Sequence, residues 1–281
     1  MLLLPFVEPF HTEAMLAALE THAVTGVERT DAERRRHTRA VRTPSGPAVV
    51  TVHFNVDHVA VEAHPPVDDK AWLVARVRYW LDLDAEPRTV ADALGSDPLI
   101  GPLLSARPGL RVLGYSDPFE GALMTVIGQQ VSLAATRTFG SRLVTAFGTP
   151  LDNGLSVYPT AEALATLSPG EIQRAVGLTN SRSRTLVGLA RAVTYGLTLE
   201  PTADPEPIRR ALLALPGIGP WTVDYLSVRA LGDRDAFVPG DLVLRRALGV
   251  SKPQDAAAMA ETWRPFRAYA LFHLWTNQAY L

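Results

Sequence analysis

The stretch that most limits how this chain can fold is Leu215-Pro216-Gly217-Ile218-Gly219-Pro220-Trp221. Upstream of it, Glu206-Pro207-Ile208 opens a run with apolar residues at Ile208, Leu212, Leu213 and Leu215, which is helical spacing with a proline suited to the first turn. Two glycines one residue apart stop that helix. Pro220 suits the first position of the next helix, where its missing N–H would have had no partner anyway. Gly217 and Gly219 can take positive φ and leave their amides uncovered, so successive N–H groups can converge on an anion. The second helix aims its positive end at the same point. Such a turn either joins two packed helices or grips a phosphate.

Beyond the hairpin, Val228, Ala230, Leu231 and Phe237 supply apolar anchors, Asp233 and Asp235 sit in a polar loop, and Pro239-Gly240 turn the chain into Asp241. Leu242, Val243, Leu244, Ala247 and Leu248 then read as a short helix ending at Gly249. Asp241 stands at its start. That position suits a simple N-cap, and it also suits a carboxylate with chemistry to do.

The first part of the chain differs in kind. Residues 48–63 alternate, with Val50, Val52, Phe54 and Val56 on one face and Thr51, His53, Asn55 and Asp57 on the other. Asp57-His58 turns the chain into Val59-Ala60-Val61, giving an antiparallel hairpin. The charged run Asp31-Ala32-Glu33-Arg34-Arg35-Arg36 reads as solvated. From residue 88 the pattern is helical. Asp117-Pro118-Phe119-Glu120 is a helix start with an acidic cap and a glutamate three residues on. That helix carries Phe119, Leu123, Val126 and Ile127 inward and breaks near Gly128, and another begins near Ser132. Runs at 161–167, 171–176 and 182–195 continue the series. The expected fold class is α+β: a small α/β domain with an antiparallel sheet over 1–87, then a mostly α-helical core over 88–281.

Composition narrows the function. The chain has 281 residues, 47% of them hydrophobic, enough to bury a substantial core in two or three subdomains. No apolar run is long enough to span a bilayer, and Met1-Leu2-Leu3-Leu4-Pro5-Phe6 lacks both the basic start and the length of a signal peptide, so a cytoplasmic protein is expected. With no cysteine, disulfides, thiolate zinc sites and cysteine-bound iron–sulfur clusters are excluded. The seven histidines are scattered, and no metal or other cofactor is expected. The formal charge of −2 is unevenly spread. Residues 1–100 hold 10 Lys+Arg against 15 Asp+Glu, residues 101–180 hold 5 against 5, and residues 181–281 hold 12 against 9. The positive excess lies with the hairpin, which suggests a weakly basic face bound to DNA through a few phosphate contacts and backbone amides. Arg182 and Arg184 either reach phosphate or sit on a solvated helix start.

Four blocks in order, Ala106-Arg107-Pro108-Gly109-Leu110-Arg111, Ile127-Gly128-Gln129 with Val131-Ser132, the hairpin with Asp241, and Tyr269-Ala270-Leu271-Phe272-His273-Leu274-Trp275, resemble the helix-hairpin-helix (HhH-GPD) DNA glycosylases of the AlkA type. The resemblance covers most of the chain. It implies a core of two helical subdomains flanking an active-site cleft, and a monomeric repair enzyme that acts on damaged double-stranded DNA and is nucleoid-associated when bound. The implied activity is hydrolysis of the N-glycosidic bond of alkylated bases such as 3-methyladenine and 7-methylguanine, with the base flipped out of the stack. By the same likeness Asp241 is the catalytic carboxylate, and Trp221, Tyr225, Trp275 and Leu242 border the base pocket. Gly217, Ile218, Gly219 and Thr222 hold a phosphate, and Gln130 with Gln129 forms the wedge that fills the gap.

Trp221 and Tyr225 are four apart and share a helix face, suited to stacking on an electron-poor base. Two departures from the family pattern stand out. A leucine of AlkA-type enzymes is replaced by Gln130, and the acid and aromatic that flank their aspartate are replaced by Gly240 and Leu242, which leaves the pocket roomier or less polar there. The hairpin's second helix has Trp221 where a lyase would carry its Schiff-base lysine, and the only lysines are Lys70 and Lys252. Hydrolysis without strand cleavage is therefore expected. A non-catalytic module that recognises damaged DNA and an abasic-site lyase remain the alternatives.

Overall fold

The computed structural model describes residues 1–201 and 204–280, and of residues 279 and 280 the backbone alone. Its first part is a five-stranded antiparallel sheet, β1 (Leu2–Pro5), β2 (Glu28–Asp31), β3 (Arg36–Thr43), β4 (Gly46–Phe54) and β5 (His58–His64), in spatial order β1-β5-β4-β3-β2. The alternation read from sequence holds along β4: Val50, Val52 and Phe54 are buried while Thr51 and His53 are partly exposed. The register pairs Val52 with Val61 and Phe54 with Val59, which brings the apolar side chains of both strands to one face. Val56 departs from the expectation. The strand ends at Phe54, the Asn55 amide donates to the His58 carbonyl at 2.9 Å, and Val56 lies in the turn, 83% exposed. Residues 32–35 of the charged run form an exposed turn between β2 and β3, as their solvation requires. Helices α1 (Thr12–His22) and α2 (Lys70–Trp80) pack on this sheet, α1 against β2 and β3 and α2 against β1.

The remainder is helical apart from the short pair β6 (Thr149–Pro150) and β7 (Ser156–Val157). Helices α3 (Pro87–Leu94), α4 (Ile100–Ala106), α5 (Pro118–Ile127), α6 (Leu133–Phe147), α7 (Ala161–Ala165), α8 (Pro169–Val176) and α9 (Asn180–Thr194) come first. They are followed by α10 (Glu206–Leu213), α11 (Pro220–Arg229), α12 (Leu242–Ala247), α13 (Pro253–Ala260) and α14 (Arg267–Trp275). The fold is thus an antiparallel-sheet domain followed by a helical core. Local chemistry sets the boundaries. Asp117 caps α5 by accepting from the Phe119 and Glu120 amides at 2.8 and 3.2 Å, and Ser132 caps α6 through the Ala135 amide at 3.2 Å.

Two large apolar cores result, and the chain crosses between them. One joins Val52 and Phe54 of the sheet to Trp80, Leu104, Leu244 and Leu271, so the C-terminal helices return to the N-terminal sheet. The other holds Leu123, Leu143, Leu186, Leu212 and Leu226, from α5, α6 and α9 to α11. Helix α11 serves both. Val223, Leu226 and Ala230 enter the second core, while Trp221, Tyr225 and Val228 face the first. That 4-then-3 spacing turns the Trp221–Tyr225 face toward the seam between the cores.

Candidate active site

The hairpin between α10 and α11 is built around Gly217, whose φ is 86°. A Cβ there would lie 2.0 Å from Thr185 Oγ1, which itself donates to the Pro216 carbonyl at 3.2 Å. Only glycine fits so close an approach. Gly219 is different: it is extended, caps α11, and has nothing within 4 Å of where a Cβ would be. Ile218 buries its side chain in the second core and donates its amide to the Leu215 carbonyl at 3.1 Å, so it anchors the turn. The amides of Gly219, Trp221 and Thr222 have no acceptor among the described residues and lie at the positive end of α11. This is a nest suited to an anion.

The turn between α5 and α6 is tied to that hairpin. Gln129 Nε2 donates to the Gly217 carbonyl at 2.9 Å and to Thr222 Oγ1 at 3.0 Å, and Arg182 donates to the Gln129 carbonyl. The Gln129 side chain and Arg182 are therefore engaged within the protein. Gln130, at φ 55°, is exposed at the tip of the same turn, and Arg184 is exposed on α9. The two glutamines, read together from sequence, have separate environments.

Asp241 follows the Pro239-Gly240 turn, which its own amide closes on the Val238 carbonyl at 3.0 Å. It caps α12, with Oδ1 accepting from the Leu244 amide at 2.9 Å. The same oxygen accepts from Trp275 Nε1 at 3.1 Å, and Oδ2 accepts from Trp221 Nε1 at 3.3 Å. Capping and clamping are both present. Trp221 stacks on Tyr225 at 5.4 Å between centroids, and Tyr225 meets Trp275 at 5.5 Å. The three rings and the carboxylate border a chamber of about 270 Å³. It adjoins an outer groove of about 980 Å³ lined by residues 128–132, the hairpin and residues 240–243, and Trp221, Asp241 and Val243 belong to both. Asp241 therefore stands where chamber and groove join. Leu242 is 51% exposed and lines the groove rather than the chamber, because its place at the start of α12 turns it away from the first core.

The chamber extends well past the aromatic rings, to residues that sequence reading did not single out as site residues. Its inner end carries a buried charge cluster. Arg39 of β3 reaches Glu120 of α5 at 2.5 Å and Glu28 of β2 at 3.4 Å, and His37 bonds Glu28 at 3.2 Å. Burial alone would raise the Glu28 carboxyl, but the Arg39 charge and the His37 hydrogen bond outweigh it and hold it at about 2. Burial dominates at Glu120, pushing it up to about 8 against the pull of Arg39. Burial, aided by the Arg229 charge, pushes His22 down to about 3. Arg229 lies over the Tyr115 ring at 4.7 Å and donates to the Tyr225 hydroxyl at 3.1 Å. In sequence Glu120 looks like a capping glutamate. The structure instead sends it inward, and only the pairing of β3 with α5 across the seam reveals why. No three His, Asp or Glu side chains come together as a metal-binding set among the described residues, and no helix among them is long and apolar enough to cross a membrane.

Comparison with known proteins agrees with this arrangement. Residues 1–117 match the model of the AlkA N-terminal domain, and residues 123–267 match that of the HhH-GPD superfamily base excision DNA repair protein. A Mycobacterium tuberculosis (strain H37Rv) protein named probable bifunctional transcriptional activator/DNA repair enzyme AlkA is 36% identical over 284 residues, covering 98% of this chain and 56% of that protein. The chain thus spans little more than half the length of that relative. Escherichia coli (strain K12) DNA-3-methyladenine glycosylase 2 is 31% identical over 278 residues, covering 97% of this chain and 95% of that one. Among solved structures, the 3-methyladenine DNA glycosylase of Archaeoglobus fulgidus shares the fold with a TM-score of 0.80 at 20% identity, over 98% of this chain and 97% of its own.

Proposed function

Because this chain belongs to the HhH-GPD superfamily of base excision DNA repair proteins and carries an AlkA N-terminal domain, we propose that it is a monofunctional DNA glycosylase that hydrolyses the N-glycosidic bond of alkylated bases in duplex DNA. The observation that carries the reading is the Asp241 carboxylate, clamped by two indole N–H groups at the junction of an aromatic chamber and an outer groove.

Each part has a task. The free amides at the start of α11 hold a backbone phosphate, which fixes the duplex along the groove without reading sequence. Gln130 enters the stack as the target nucleotide leaves it, and Gln129, held on the hairpin, sets the wedge relative to the bound phosphate. Trp221, Tyr225 and Trp275 enclose the extruded base and favour one that is cationic and electron-poor. An N-alkylated purine of that kind leaves as a neutral molecule, so little acid assistance is needed. The harder demand is the positive charge that grows on C1′ of the deoxyribose. Asp241 stabilises it, and the carboxylate orients the water whose oxygen bonds to C1′ and accepts the proton that water gives up. The two indole donors keep the carboxylate from rotating as charge develops. A lyase would need a hairpin lysine. Here that place is taken by Trp221, while Lys70 and Lys252 stand at the starts of α2 and α13.

Incubation with methylated duplex DNA tests the proposal. Free 3-methyladenine or 7-methylguanine, with a strand that stays intact until alkali is added, is the expected result. Spontaneous nicking would indicate a lyase, and binding without release a recognition module.

A further inference from the structure

The glycosylase reading leaves the inner end of the chamber without a task. An aromatic slot alone would be enough to stack a base, yet this one ends on a carboxyl group brought from α5 against an arginine brought from the sheet. Glu120 is 5% exposed and lines the chamber. One of its oxygens, Oε2, is taken by Arg39, and Oε1 is bonded to no protein group among the described residues. A carboxyl oxygen that lines the chamber and is not taken by a neighbouring side chain is available to hydrogen-bond whatever enters it.

We propose, on the basis of that glycosylase reading, that Glu120 meets the edge of the extruded base and is the residue through which the chamber distinguishes cationic from neutral lesions. A carboxylic acid donates to the ring nitrogens of a neutral purine, whereas a carboxylate accepts from the polarised amino group of a cationic one and balances its charge. The two classes of lesion therefore favour opposite protonation states. When a cationic base enters, Glu120 gives its proton to solvent; when a neutral base enters, it keeps it.

The surroundings leave Glu120 as the group to change. From the sheet it faces Arg39, Glu28 beyond Arg39, and Arg42; Asp117 stands at the start of its own helix, and Tyr158 lies beside it. His22 of α1, Tyr115, Arg137 of α6 and Arg229 of α11 line the same chamber. Glu28 at about 2 stays ionised and His22 at about 3 stays neutral throughout the neutral range, and burial raises the Tyr158 phenol well above its usual range. Glu120, at about 8, is poised between its two forms.

The test uses the full chain and two otherwise identical duplexes, one carrying 3-methyladenine and the other neutral 1,N6-ethenoadenine. Single-turnover release rates are measured from about pH 6.5 to 9.5, and the readout is their ratio, which cancels DNA binding, folding and any titration common to both. Because a bound cation favours the ionised form of Glu120, linkage makes the ratio rise about tenfold toward the cationic lesion as pH passes through 8. Glu120→Gln, which keeps the shape but cannot ionise, flattens the profile near its low-pH value. A flat wild-type ratio overturns the inference and does so even if the variant fails to fold. A sloping ratio unchanged in Glu120→Gln also overturns it. Release of neither base by the wild type at any pH would defeat the glycosylase reading itself, an outcome distinct from both.

Discussion

Replacing Gly217 with alanine places a methyl group 2.0 Å from Thr185 Oγ1 and 3.2 Å from its Cβ, at a residue whose φ is 86°. Holding an L-residue at positive φ costs roughly 1–2 kcal/mol. Thr185 is β-branched and cannot swing aside freely, so the hydrogen bond it gives the Pro216 carbonyl is lost as well, about 1 kcal/mol more. The expected destabilisation is about 2–3 kcal/mol, or a fall of roughly 5–10 °C in Tm for a chain of this size. Thr185→Ala removes the clashing oxygen, so the double variant should be less damaged than the sum of the singles, by about 1 kcal/mol of coupling. Gly219→Ala is the contrasting case. With nothing within 4 Å it should fold normally, but its methyl group covers the amide offered to phosphate, and duplex affinity should fall roughly tenfold, about 1.4 kcal/mol. Calorimetry gives the first quantity and fluorescence anisotropy at fixed salt the second. Wild-type affinity in Gly219→Ala would refute the assignment of the hairpin as the phosphate site, and additive effects of Gly217→Ala and Thr185→Ala would refute the packing argument.

Two further outcomes are expected. Gln129→Leu removes both bonds to the hairpin while leaving Gln130 in place. Base extrusion, followed by 2-aminopurine fluorescence beside the lesion, should drop several-fold at saturating protein, whereas unchanged extrusion would remove Gln129 from its positioning role. Stability should be greatest over a plateau from about pH 4.5 to 6.5. Below it, His22, at about 3 in the fold, is neutral where the unfolded chain takes up a proton, so its contribution is present above about 6.5 and lost as pH falls toward 3, and Glu28 adds a loss from about 4.5 down to 2. Glu120 retains a proton in the fold that the unfolded chain has released, so its contribution is lost as pH rises from about 4.5 to 8; this offsets the His22 gain up to about 6.5 and leaves a net decline above it. Thermal melts of Glu120→Gln should lack that alkaline decline, and an undiminished decline would contradict the assignment.

What the sequence shows of this molecule is what local chemistry determines. Asp117 and Ser132 announce their helices because a capping side chain acts within three residues, and the alternation of Val50, Val52 and Phe54 marks its strand until the turn overrides it at Val56. The hairpin glycines and the aspartate after Pro239-Gly240 are legible for the same reason. The inner end of the chamber is not. Arg39 and Glu120 are 81 residues apart and meet only because α5 of the helical core comes against β3 of the sheet. No spacing signals such a contact, and a glutamate three residues after a cap has a sufficient local explanation that conceals the distant one. The Gln129 bond to the hairpin, 88 residues away, escapes for the same reason.

The claim on which the account depends is that one carboxylate at the junction of chamber and groove performs the bond cleavage, and Asp241→Asn tests it most directly. Asparagine still caps α12 and still accepts from the Leu244 amide and Trp275 through its carbonyl oxygen, although its amide group now faces the Trp221 donor. Melting temperature and affinity for abasic-site DNA should therefore stay close to wild type, while single-turnover release of 3-methyladenine falls by at least about 100-fold. Release within tenfold of wild type by a folded, DNA-binding variant would contradict the account.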